Sequence, residues 1–100
     1  SIVVDSLDPA FAPGTGTPEP GGLTSRQLLD AVRRIAYEVP ILGVDVVEVA
    51  PAYDHADITV MLANRVCLEV LSGITSSLSG EERPDIPEHC LEHRRGKAFT

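Results

Sequence analysis

Residues 1–22, SIVVDSLDPAFAPGTGTPEPGG, constrain this chain more than any other stretch. A short apolar run, Ile2 to Val4, ends on Asp5 and opens into a long loop. Such runs read as buried strands, and in open α/β sheets ligands gather at the carboxyl ends of strands. Pro9, Pro13, Pro18 and Pro20 fix φ along the loop, while Gly14, Gly16, Gly21 and Gly22 permit shapes that other residues resist. With Leu7, Phe11 and Leu23 interspersed, the loop is expected to be ordered and functional rather than a linker. A carboxylate held at its mouth suits a metal ion or a cationic ligand.

The elements downstream fit a β-α-β-α order. Thr24-Ser25-Arg26-Gln27 matches a capping box. Leu28, Ala31, Val32, Ile35, Ala36 and Val39 recur at helical spacing, so a helix over residues 25–38 is predicted, stopped by Pro40. Arg33-Arg34 is expected on its solvated face. Residues 41–49, ILGVDVVEV, read as a buried parallel strand. Side-chain alternation puts Asp45 and Glu48 on opposite faces of it, and Glu48 stands near its carboxyl end. A helix is predicted over residues 58–75 from Ile58, Met61, Leu62, Val66, Val70, Leu71 and Ile74. Met61 and Cys67 are expected in its core, with Asp57 as its cap and His55 as a loop residue before it.

From Ser76 the texture turns polar and irregular, so 77–100 reads as a flexible tail appended to a domain over 1–76. His89, Cys90 and His93 there are weak zinc candidates. The net charge of −7 over 100 residues argues against nucleic acid, which needs a basic surface. No run of about eighteen apolar residues stands out, so no membrane span is expected. Cys67 and Cys90, in dissimilar settings, suit a reducing compartment better than a disulfide framework. The start, inside a strand motif and without Met, reads as the edge of a longer chain.

Ser1-x-x-x-Asp5-x-x-Asp8-Pro9, Pro13-Gly14-Thr15-Gly16-Thr17-Pro18 and Gly21-Gly22-Leu23-Thr24 closely resemble the last signature of the ureohydrolases, the family of arginases and agmatinases. The resemblance continues through Asp45-Val46-Val47-Glu48-Val49-Ala50-Pro51 and Tyr53-Asp54, and the loop is most similar to the agmatinase branch. It implies a three-layer α/β/α fold with a mainly parallel sheet, of which this chain supplies a carboxyl-terminal βαβα portion. It implies hydrolysis of a guanidino compound such as agmatine to urea and an amine at a pair of manganese ions. Hard oxygen and imidazole donors suit that metal, and two ions about 3.5–4 Å apart activate a bridging water. The resemblance makes Asp5 a metal ligand, Glu48 the partner of the guanidinium and Thr17 a substrate contact in the loop that lines the pocket.

At the place of the family's bridging Asp stands Val3. The other function class is therefore a catalytically inactive or truncated homologue that serves at most in assembly. The resemblance further implies a cytoplasmic, or mitochondrial, homo-oligomer, trimeric or hexameric.

Overall fold

The computed structural model describes residues 1–80. β1 (Ile2–Val3) leads into a 3₁₀ turn, Val4–Ser6, and the long loop. Helix α1 (Ser25–Glu38) follows, then β2 (Val46–Val47), a 3₁₀ turn at Pro51–Tyr53, and helix α2 (Ile58–Ser79). β1 and β2 pair in parallel with Ile2 opposite Val46 and Val3 opposite Val47. This is the α/β arrangement expected, as one β-α-β-α portion of it.

α1 has the predicted bounds because its start is chemically specified. The Thr24 hydroxyl accepts the Gln27 N–H at 3.1 Å, and the Gln27 side chain accepts the Thr24 N–H at 2.9 Å. Its buried residues are Leu28, Val32, Ala36 and Tyr37, while Ile35 and Val39 stay exposed. The core face is thus rotated slightly toward Tyr37. Val4, Leu7, Ala12, Val66 and Val70 complete the core.

Several expectations are corrected. The strand predicted over 41–49 shrinks to Val46–Val47. Before it, residues 41–45 are irregular, and Leu42 is fully exposed at 104%. After it, Glu48 takes a left-handed φ of 70°, which turns the chain out of the strand. α2 runs one turn past residue 75, so positions 77–79 belong to a helix; residues 81–100, including His89, Cys90 and His93, lie outside the described residues. Met61 and Cys67 are exposed rather than in the core. The reason is where α2 meets α1: its Thr59, Val66, Glu69, Val70 and Gly73 face inward instead.

That packing is close. A Cβ on Gly73 would lie 2.7 Å from the Arg33 carbonyl oxygen and 2.8 Å from the Ala36 Cβ, so the crossing requires glycine. Next to it Glu69, only 5% exposed, receives Arg65 at 2.8 Å and the Arg33 guanidinium. Arg33 is therefore an interhelical ion-pair partner, not a solvated residue, and the buried acid is compensated on both sides. α2 also corrects the membrane expectation. At 22 residues and a mean hydropathy of 1.4 it is long and apolar enough to cross a bilayer. A helix that covers a sheet has the same composition, and Glu69 at its centre, paired with Arg65 of the same helix, binds it to Arg33 of α1.

Apolar surface remains open around this unit. Ile2, Val32, Ala36, Val44 and Val70 line a hollow of about 160 Å³, and Leu71 and Met61 are 61% and 68% exposed. A two-stranded sheet is marginal on its own, and among the described residues neither of its outer edges has a partner strand. The chain by itself is expected to aggregate or to form a loosely packed state. Calorimetry and amide NMR test this: a broad or absent melt is expected, and a sharp cooperative melt with dispersed signals would contradict it.

Candidate active site

Parallel pairing brings the carboxyl ends of β1 and β2 to one side, and Asp5 and Glu48 each follow one of those ends. Asp5 lies two residues past β1, in the Val4–Ser6 turn, and Glu48 lies one residue past β2. Val4 is wholly buried and anchors the turn, leaving the Asp5 carboxylate half-exposed beside it. The Thr17 hydroxyl donates to Asp5 Oδ2 at 2.8 Å. The structure thus brings Thr17 and Asp5 together, twelve residues apart in the chain. Glu48 is exposed, and its left-handed backbone is a conformation that non-glycine residues hold at a cost of about 1 kcal/mol or more. Strain of this kind concentrates at functional sites.

The loop between Asp5 and Thr17 is built on Asp8. Its carboxylate accepts the N–H groups of Ala10 and Gly21, both at 2.9 Å, closing the loop on its own base. Leu23 N–H donates to the Ser6 carbonyl and Asp8 N–H to the Leu23 carbonyl, both at 2.9 Å. Gly22 fits there because any Cβ would lie 2.6 Å from backbone atoms of Ser6 and Leu7. The Ala10 N–H, and then the Gly21 N–H, hold the Asp8 carboxyl below its ordinary value of 3.8. Behind the loop Thr15 is 3% exposed, and its hydroxyl has no hydrogen-bond partner among the described residues.

Asp45 sits at the other end of β2, exposed, and accepts a hydrogen bond from the Ser1 hydroxyl, which lowers its pKa. His55 is an exposed loop residue. Asp57 occupies the cap position of α2 but in a left-handed conformation and without a side-chain cap bond. Asp54 does the capping instead, an arrangement that sequence spacing missed. Its carboxylate accepts N–H from Thr59 at 3.0 and 3.1 Å, from Val60 at 3.1 Å and from His55 at 2.9 Å. The signal that could have found it is an acid beside a Pro-containing turn, just upstream of an apolar helix.

As a metal centre the described residues are incomplete. No group of three His, Cys, Asp or Glu side chains lies together among them. Asp5 offers hard carboxylate oxygen, one of whose atoms is already oriented by Thr17, whereas Val3 offers no lone pair. A metal pair of the kind expected would meet a carboxylate at Asp5 and a hydrocarbon at Val3.

Comparison with known proteins places this arrangement. The sequence profile of the Arginase family matches residues 1–73. An agmatinase from Halalkalibacterium halodurans is 51% identical over 74 residues, covering 73% of this chain and 26% of that protein. Proclavaminate amidinohydrolase from Streptomyces clavuligerus is 52% identical over 71 residues, covering 71% of this chain and 22% of its own length. Among solved structures, a hypothetical agmatinase from Burkholderia thailandensis superposes with a TM-score of 0.74 at 48% identity, covering 81% of this chain and 25% of that one. The chain belongs to the arginase family. It spans about a quarter of the length of the relatives it matches.

Because the unit leaves apolar faces open, its residues are best measured in a hybrid in which residues 1–80 replace the matching segment of an agmatinase relative. Asp8 has a lowered folded pKa, so its contribution is complete above 3.8 and is lost as pH falls through the lower folded value. Hydrogen exchange of residues 10–22, corrected for intrinsic rates, should show protection at about pH 5 that fades in stronger acid. Asp8→Asn should lack that protection at both pH values. A segment equally protected in Asp8→Asn would show that the loop does not depend on this carboxylate.

Proposed function

We propose that this chain forms the carboxyl-terminal part of a ureohydrolase site that splits an agmatine-like guanidino compound into urea and an amine. The observation that carries the reading is the Thr17–Asp5 hydrogen bond at the carboxyl end of β1, in a loop shared with agmatinase relatives. Glu48 is the residue assigned to the guanidinium, because a planar cation with several N–H donors pairs well with a carboxylate. Its placement past β2, outside the strand ladder, leaves its side chain exposed to meet such a ligand. Thr17 is assigned a second task beside substrate contact, since its hydroxyl fixes the orientation of Asp5. Relatives named for agmatine and for proclavaminate match at nearly equal identity, so the assignment is to a guanidino group rather than to one molecule.

Manganese, when bound by the complete site, would supply an activated water. Within this chain Asp5 is its proposed ligand, and Val3 interrupts the set. Valine is close to aspartate in size, so β1 and its pairing with Val47 persist while a bridging ligand is lost. That observation favours the second reading, an inactive homologue that takes part only in assembly. The same proposal includes a cytoplasmic or mitochondrial homo-oligomer, trimeric or hexameric, that binds neither nucleic acid nor membrane.

Two substitutions in the hybrid separate these readings. With Val3 in place, metal analysis should find fewer than two manganese ions per chain, with little or no urea released from agmatine or guanidinobutyrate. Val3→Asp should restore both together. Full activity and two metals with Val3 would show that another ligand bridges. In the Val3→Asp background, Glu48→Gln should weaken guanidino-substrate binding by about ten- to hundredfold while leaving metal content unchanged. Loss of manganese with unchanged substrate affinity would make Glu48 a ligand instead.

A further inference from the structure

Both backbone polar groups of Gly14 are tied to the segment that follows β2. Its N–H donates to Thr59 Oγ1 at 2.7 Å, and its carbonyl accepts the Ala50 N–H at 2.7 Å. Thr59 is wholly buried, and its hydroxyl also bonds the Asp54 carboxylate. Asp54 in turn lies flat against Gly14, where a Cβ would meet its Cβ and Cγ at 2.7 Å. Gly14 stands one residue before Thr15 and three before Thr17; Ala50 stands two after Glu48. The knot thus joins the loop that orients Asp5 to the corner that presents Glu48.

An ordinary helix cap does not account for this. A capping side chain normally belongs to the residue just before the helix, which here is Asp57 and makes no such bond. The acid that serves α2 comes from three residues earlier and reaches across to a glycine of the other loop. Desolvation opposes its charge, but the bonds from Thr59, Val60 and His55 outweigh that and keep the carboxyl below its ordinary value.

We propose that Asp54, acting through Thr59 and Gly14, is a positioning residue that holds the Thr15–Thr17 loop in register with Glu48. This rests on the ureohydrolase reading for its consequence in activity, though the coupling of the two loops does not. Groups that support binding residues from behind commonly change affinity or activity by ten- to a hundredfold when removed. Gly14 should be as sensitive as Asp54, because a methyl there pushes the same contact apart from the other side.

The test uses the hybrid carrying Val3→Asp. Asp54→Asn, Thr59→Val and Gly14→Ala should each raise KM for agmatine about tenfold or more. The double variant Asp54→Asn with Thr59→Val should be little worse than either alone, because both break one chain of contacts. Thr59→Ser keeps the hydroxyl and should retain the parent KM. Thr24→Ala, which removes the cap of α1 and touches no site residue, is the control for general loss of stability. If KM in the three variants moves no more than in Thr24→Ala at a matched fall in Tm, Asp54 is a helix cap only and the proposal is overturned. Amide exchange at Gly14 and Ala50 provides a readout independent of activity. Both should speed up in Asp54→Asn and not in Thr24→Ala. If the hybrid makes no urea yet these amides respond so, the coupling stands and the ureohydrolase reading fails; if they do not respond, the coupling fails.

Discussion

The site depends on hydrogen bonds that involve no catalytic side chain: those of the Gly14 backbone, N–H to Thr59 and carbonyl from Ala50. Strand pairing between β1 and β2 covers only Ile2–Val46 and Val3–Val47, too little to fix the loops beyond it. The Gly14 contacts extend that pairing in effect, past the points where Asp5 and Glu48 leave their strands. Glycine is required because the loops approach so closely that a side chain would overlap Asp54. A second constraint of the same kind, Gly73 against Arg33 and Ala36, lets α2 lie on α1. The pair Arg33–Glu69, with Arg65, then fixes the rotation of the helices.

Where local chemistry decided structure, the amino-acid sequence was readable. The capping box of α1 and the Pro40 stop specify a helix whose bounds the structure reproduces. Asp5 and Thr17 were legible as a pair of loop positions only by resemblance, since no spacing rule joins residues twelve apart across a loop. Where tertiary packing decided, the pattern misled. ILGVDVVEV has the apolar density of a buried strand, but an interior strand has neighbours on both edges, and the described residues provide one for β2. Met61 and Cys67 obey helical periodicity yet sit outside, because an apolar helix offers more than one plausible inner face. The acid Glu69 marks the true one, since it is the position that the arginines of both helices can reach. Asp54 was missed because its partners, Thr59 and Gly14, lie on different loops and elements.

The strained backbone at Glu48 and the hydrocarbon at Val3 pull in opposite directions. Holding a glutamate in a left-handed conformation is costly unless its placement matters. In the proposed reading, valine in place of a metal-bridging acid removes the reason for that placement. On that same reading, a chain that has kept the loop geometry, the Asp5–Thr17 bond and the Glu48 turn retains the substrate side of the site while its metal side is weakened. In physical terms the two sides are separable: the former rests on backbone locks around Gly14 and Asp8, the latter on the donor atoms at the end of β1.

In the proposed reading, Asp5, Thr17 and Glu48 face one ligand across the junction of the two loops. A crystal structure of the hybrid with agmatine bound tests it most directly. The guanidinium should lie against the Glu48 carboxylate, with Thr17 still donating to Asp5 on the facing side. A guanidinium bound elsewhere, or Glu48 turned to solvent with the ligand in place, would contradict it.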